Sequence, residues 1–226
     1  MELKKAVILL SGGIDSATTA AIALDRGFDL HALIFNYGQK HSIELESAAS
    51  LVRFFGIKHN TIISIPAGIF RSALTDIDRA VPKNRKSGGD EIPDTYVPAR
   101  NILFLSYALA YAESIGAFHI FIGATAVDYS GYPDCRPEFF KAFQFMANTG
   151  TKAGVSGGSF IIETPLIDLT KALIIKKGAS LGVDYSLTSS CYDPDADGLA
   201  CGACDSCLIR KKGFQDAGIP DPTKYQ

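Results

Sequence analysis

Two patterns of apolar and polar positions alternate along the chain. Residues 5–10 (KAVILL) are a short, nearly continuous apolar run, as in a strand buried on both faces. Residues 15–25 (DSATTAAIALD) follow with small and aliphatic side chains at helical spacing. The alternation then repeats: strand 30–36, helix 42–55, strand 61–65, and, after a long polar stretch, a largely apolar helix over 101–115 and a strand over 119–124. Further on, 137–147 reads as a helix opened by Pro137, a position where the missing N–H does no harm. Residues 160–163 suit a short fifth strand, and 169–181 a helix closed by Gly182. This spacing predicts an α/β fold, a Rossmann-like doubly wound parallel sheet with helices on both faces. In the expected order 3-2-1-4-5, strands one and four are neighbours, and ligands sit outside their carboxyl ends. Residues 81–94 (VPKNRKSGGDEIPD) break the pattern and read as a long surface loop, either a lid or a plain insertion.

Composition narrows the picture without changing it. At 226 residues, 47% hydrophobic and 20% charged, the chain suits one domain over 1–226, with 185–226 as a C-terminal segment of that domain. A net charge of -2 gives no global reason to expect a nucleic-acid partner. The first apolar run stops at a glycine turn, too short for a secretory core, and no run is long enough to cross a bilayer. A cytoplasmic protein without a membrane partner is the expectation.

Five cysteines in such a setting argue for metal or chemistry rather than disulfides. Cys201, Cys204 and Cys207 form C-x2-C-x2-C, with Cys191 nine intervening residues upstream. Four thiolates close a tetrahedral shell around Zn2+ and leave no open position, so the ion would be structural. An iron–sulfur cluster and a redox dithiol are the rivals. The bacterial iron–sulfur run carries a further cysteine downstream, which is absent after Cys207, and three cysteines in one loop suit a dithiol poorly. Cys135 stands apart and is read as a small packed hydrophobe. His31, His41, His59 and His119 are scattered and receive no chemistry.

The turn after the first strand is the strongest chemical signal. Leu10-Ser11-Gly12-Gly13-Ile14-Asp15-Ser16-Ala17-Thr18-Thr19-Ala20 carries two glycines and several hydroxyls before a helix, but no lysine. It matches neither a Walker loop nor a dinucleotide fingerprint. Glycines let backbone N–H groups approach an anion, and the helix adds its own unpaired N–H groups and dipole. Ser11, Ser16, Thr18 and Thr19 supply hydroxyl donors. A cradle of neutral donors suits an anion that must leave as well as bind, such as pyrophosphate. An ordinary glycine turn with a helix cap is the plainer alternative.

This loop resembles the SGGxDS loop of the N-type ATP pyrophosphatases, which split ATP between its alpha and beta phosphates. Together with FNYGQKHSIELESA, TYVPARN, IGATAVDYSGYPDCRPEF, GTKAG, TPLIDLTK, LGVDYSLTSSCY and CGACDSCLIRKKGFQDAGIPDPTKY, the chain resembles the 7-cyano-7-deazaguanine synthase family of the queuosine pathway. The resemblance implies a ligase that uses ATP and ammonia to convert 7-carboxy-7-deazaguanine to the nitrile. Adenylated acid and amide would be intermediates, with AMP and pyrophosphate released. It also implies zinc on the four cysteines, a homodimer, and ATP on the segment Leu10 to Ala20. Where the family has glutamate after its TKA motif, this chain has Leu173.

Setting a carboxylate against ATP requires cations to offset the charge. Lys171, Arg100 and Lys40 are the candidates, with Mg2+ bridging phosphates. Asp15 is read chiefly as a helix cap and secondarily as a magnesium ligand. Tyr37 and Gln39 either border adenine or shape a turn. The loop after strand four holds Asp128, Tyr129, Tyr132, Asp134, Arg136 and Glu138. A carboxylate there would accept from the base's N1–H and 2-amino group. Asp128 or Asp134 is the candidate, with a tyrosine stacking on the ring and Arg136 or a backbone N–H meeting O6. A tRNA-modifying enzyme of the same group and an adenine-nucleotide sensor are the competing readings.

Overall fold

The computed structural model describes residues 3–66, 68–84, 92–125 and 132–226. Five parallel strands form one sheet in the order β3-β2-β1-β4-β5. They are β1 (Lys4–Leu9), β2 (Phe28–Asn36), β3 (His59–Ser64), β4 (His119–Phe121) and β5 (Ile161–Glu163). Helices α1 (Ile14–Asp25), α2 (Ile43–Phe54), α3 (Arg100–Ile115), α4 (Pro137–Gly150), α5 (Lys152–Val155), α6 (Lys171–Ser180) and α7 (Asp205–Ala217) complete the described elements, with 3-10 turns at Pro133–Cys135 and Tyr185–Leu187. The fold class and strand order expected from the sequence are observed.

Burial on both faces explains the continuous apolar strands. Ala6, Ile8 and Leu10 pack with Ala32 and Ile34 against α1, α2, α6 and α7. Val7, Leu9, Leu33 and Phe35 pack on the opposite face against α3 and α4. Phe35 stacks on Phe104 with ring centroids 3.9 Å apart, which fixes α3 over the end of β2.

Three expectations are corrected. Strand four ends at Phe121 rather than Ala124, because Gly123 lies so close to α1 that a Cβ there would sit 2.8 Å from the Asp15 carbonyl carbon. Helix α7 went unseen in the sequence. Its buried stripe is Cys207, Arg210, Phe214 and Ala217, whose spacing is helical but half of whose residues do not look apolar. Asp15 does not cap α1, since the cap position is Gly13. Over its described part the 81–94 stretch is a loop tied to the C-terminal segment. Val81 is buried, the Asn84 N–H donates to the Ala203 carbonyl at 2.8 Å, and Lys83 pairs with Asp193 at 2.9 Å. Residues 85–91 lie outside the described residues.

Candidate functional site

The carboxyl ends of β1, β2 and β4 open into a cavity of about 280 Å³. Its floor is the turn into α1. Gly12 has φ +82°, and a Cβ there would meet the Glu44 carbonyl at 2.5 Å, so only glycine lets this turn lie against α2. Gly13 differs. Its backbone is extended, a Cβ would meet nothing closer than the Ser189 carbonyl at 3.6 Å, and it lines the cavity. The protein therefore leaves at Gly13 room that a side chain would fill. No side chain caps the first turn of α1, and its leading residues Ile14, Asp15 and Ser16 line the same cavity.

Within the turn, Ser16 Oγ accepts from the Ser11 N–H at 3.2 Å and donates to the Gly13 carbonyl at 3.1 Å. Leu10, Ser11, Gly13, Ile14, Asp15 and Ser16 line the cavity. Gly12, Ala17, Thr18, Thr19 and Ala20 do not. Thr18 donates to the Ile14 carbonyl at 2.9 Å and meets the Tyr185 hydroxyl at 2.8 Å, while the buried Thr19 hydroxyl has no partner. The helical turn carries both threonines into the core, away from the cavity lining.

Charge is concentrated on two walls. Lys171, the first residue of α6, reaches both Asp15 oxygens at 2.6 and 2.8 Å. Its stem lies on Gly213 of α7, where a Cβ would come within 2.4 Å of Lys171 Cγ. On the second wall Arg100 lies over the Tyr37 ring at 5.9 Å. Burial opposes its charge, but Tyr37, Tyr132, Cys135 and Tyr192 more than offset this and hold the guanidinium above its ordinary range. Glu44 lines the same wall, its carboxyl raised by burial although Arg100 pulls the other way. Burial, then Glu44, pushes the Tyr37 hydroxyl up to about 12. Arg210, almost wholly buried, adds a third cation at the rim, bonded to Thr188 Oγ1 at 2.8 Å and Asp221 at 3.0 Å.

The remaining expected residues divide. Gln39 shapes the turn after β2, accepting from the Tyr37 N–H at 2.8 Å and donating to the Phe35 carbonyl at 3.2 Å, and both Tyr37 and Gln39 line the cavity. Lys40 does not line it and instead meets the Arg79 carbonyl. Tyr132 lines it, with its hydroxyl 2.9 Å from Thr95 Oγ1. Cys135 also lines it, its thiol pushed up to about 11 by burial and then by Asp134. Asp134 is buried behind this wall and accepts the Asn101 N–H at 3.0 Å. Its carboxylate thus serves the start of α3, whose own cap position, Ala99, has no capping side chain. Arg136 is exposed and does not line the cavity. Asp128 and Tyr129 lie outside the described residues. Glu44, Phe104, Arg210 and Tyr192 line the cavity without having been expected. Glu44 reads as an ordinary first-turn acid of α2, and Arg210 as a surface charge.

The four C-terminal cysteines meet as the spacing requires, with all four sulfur atoms within 4.8 Å of one another. Backbone N–H groups of Asp193 and Cys201 donate to Cys191 Sγ at 3.3 and 3.2 Å, and that of Cys204 to Cys201 Sγ at 3.4 Å. Sulfurs gathered in a shell and receiving N–H donors fit a closed tetrahedral metal site. The cluster also supports the cavity wall. Ser189, Ser190 and Tyr192 flank Cys191 and line the cavity, and the Ser189 N–H donates to the Gly12 carbonyl at 3.0 Å.

With this geometry in place, the comparisons with known proteins decide the family. The family described as queuosine biosynthesis protein QueC matches residues 5–218. The chain belongs to this family. It is 59% identical to 7-cyano-7-deazaguanine synthase of Desulfatibacillum aliphaticivorans, covering 100% of this chain and 98% of that protein. To the enzyme of the same name from Methylococcus capsulatus it is 58% identical, covering 99% of this chain and 100% of the relative. Membership therefore extends across the cavity and the cysteine cluster alike, and it makes the chain an enzyme, a ligase of queuosine biosynthesis. In fold the chain is similar to a predicted subunit of a tRNA methyltransferase from Methanocaldococcus jannaschii, with a TM-score of 0.50 at 16% identity, covering 99% of this chain and 93% of that one. No helix among the described residues is long and apolar enough to cross a membrane.

Proposed function

We propose that the cavity is where 7-carboxy-7-deazaguanine is adenylated by ATP, aminated by ammonia and dehydrated to 7-cyano-7-deazaguanine. The observation that carries this reading is the uncapped start of α1 at Gly13, which lines one cavity together with Lys171 and Arg100. Neutral N–H donors and the Ser11 and Ser16 hydroxyls would hold the beta and gamma phosphates. Pyrophosphate then departs without leaving a lysine bound to it, which answers why the loop has none.

In the first step a carboxylate oxygen of the substrate attacks the alpha phosphorus, and pyrophosphate leaves. Lys171 and Arg100 offset the charge brought together there. Ammonia attacks the acyl adenylate and AMP departs, giving the amide. The amide oxygen then attacks the alpha phosphorus of a second ATP with departure of pyrophosphate, and loss of AMP with two protons leaves the nitrile. Asp15 is the carboxylate at the loop that would hold Mg2+, which when bound would neutralise phosphate charge. In that role Asp15 would give up its Lys171 partner. Incubating the protein with the acid, ammonia and ATP should yield AMP and pyrophosphate; ADP and phosphate as direct products would overturn the reading.

The base itself is assigned to the segment after β4. Tyr132 supplies an aromatic wall, and Asp128, the first acid after the strand, is the acceptor for the N1–H and 2-amino donors. Tyr129 is the second candidate for stacking, and a backbone N–H is left to meet O6. Asp134 is less suited, since its carboxylate is already engaged by Asn101. The four cysteines hold structural Zn2+, within a single domain over 1–226 whose 185–226 segment docks on the sheet. The reading includes a homodimer. The reading places the enzyme in the cytoplasm without a nucleic-acid partner, and a tRNA filter-binding series across salt concentrations tests the latter.

A further inference from the structure

At the opposite end of the strands a second group of metal-binding side chains converges. His31 on β2 lies in register with His59 on β3, and Asp29, two residues before His31, shares its face of the sheet. One ligand atom from each lies within 4.8 Å of the others. His31 is only 6% exposed, and its Nε2 is buried with no hydrogen-bond partner. That nitrogen sits 3.9 Å from Asp29 Oδ2, too far for a hydrogen bond and close enough to share an ion.

We propose that Asp29, His31 and His59 form a site for a borderline first-row divalent cation such as Ni2+ or Zn2+. The orientation of His31 is what a ligand needs. Its Nδ1 lies 3.3 Å from the Tyr111 hydroxyl, so the ring is held from α3 with Nε2 on the Asp29 side. Metal-bound histidines are held in this way through their second nitrogen. A buried nitrogen without a partner is costly, and an ion removes that cost. Two imidazoles and one carboxylate select Ni2+, Zn2+ or Cu2+ over Mg2+ or Ca2+, and three protein ligands leave a position for water. Lys5, in register with Asp29, directs its ammonium to the Ile115 carbonyl at 3.4 Å.

The His59 ring lies parallel on His31, centroids 4.4 Å apart and planes 7° from parallel. One ion cannot lie in both planes of such a stack, so binding turns the exposed His59 ring toward the shared ion. The ion would tie the start of β3, an edge strand exposed over most of its length, to its neighbour.

The test uses protein carrying its full complement of zinc on the cysteines, without nucleotide. Calorimetric titration with Ni2+ should find one ion per chain, and histidine ring NMR should show the His59 resonances leaving their stacked positions. His59→Gln and Asp29→Asn alter surface-accessible groups, and each should weaken Ni2+ by at least about tenfold with an unchanged circular dichroism spectrum. Absence of Ni2+ binding in the parent protein, or equal binding by the double variant, would overturn the proposal.

Discussion

Gly12 and Gly13 adjoin in sequence and do different work. The first needs a left-handed backbone against α2, so Gly12→Ala should destabilise the fold by about 1–2 kcal/mol, measured by urea unfolding. The second has ordinary dihedrals and no protein atom in its way, so Gly13→Ala should leave the unfolding midpoint unchanged. Its methyl group would occupy the phosphate position instead, and KM for ATP should rise by at least about tenfold, roughly 1.4 kcal/mol. Equal stability loss in both variants would remove the case for an anion cradle. The string GG does not distinguish the two positions; the neighbours do. Asp15 illustrates the same limit, since its position after the turn suggested a cap, and only the approach of Lys171 from 156 residues away shows its partner.

Among the elements, α3 and α6 show how helix starts can be mistaken for binding chemistry. Asp134 occupies the stretch expected to read the base, yet its carboxylate accepts the Asn101 N–H. Asp134→Ala should therefore cost about 1 kcal/mol of stability, and substrate affinity should follow only as far as Arg100 is displaced. A binding loss with full stability would return Asp134 to the pocket. At α6, Thr170 caps the helix by accepting the Leu173 N–H, and Leu173 is half-exposed and lines no part of the cavity. A glutamate at 173 would complete a capping box with Thr170. Leu173→Glu should then raise stability by roughly 0.5 kcal/mol without changing turnover, which thermal unfolding and a steady-state assay would check. That outcome would assign the missing carboxylate to the helix rather than to the reaction.

Across the whole molecule, the C-terminal segment ties the cysteine cluster to the cavity. Cys204→Ser should release the metal and lower the unfolding midpoint, and the ATP site should weaken with it, because Ser189 and Tyr192 flank Cys191. Elemental analysis should find zinc in the parent; iron with matching sulfide would reverse the assignment. A second tie is the buried Arg210, held by Asp221 at 3.0 Å. Burial alone would raise the Asp221 carboxyl, but the Tyr225 hydroxyl, Arg210 and the Thr223 N–H bring it below its ordinary value of 3.8. A depressed carboxyl contributes stability above its unfolded pKa and loses it as pH falls through the folded one. The contribution is therefore complete at neutral pH and fades below about pH 4. Asp221→Asn leaves a buried guanidinium without its counter-charge and should cost roughly 3–5 kcal/mol at pH 7. The gap between variant and parent should narrow as the pH falls into the acid range.

The sequence by itself determined the alternation of buried strands and helices and the gathering of the four cysteines. Those features are written in local periodicity and short spacing, which burial on two faces and thiolate chemistry enforce regardless of distant neighbours. It also singled out Lys171, Arg100 and the glycine turn as groups the cavity shares. Tertiary structure alone decided which atoms of those groups face the cavity. Thr18 and Thr19 turned inward because α6 and the sheet cover that side of α1, and Asp134 was drawn to α3 because Ala99 offers no cap of its own. Arg210 and Glu44 joined the site because α7 and α2 pack where the chain's own pattern showed only charge. Side-chain direction depends on which surfaces meet, and no periodicity within one element records its neighbour.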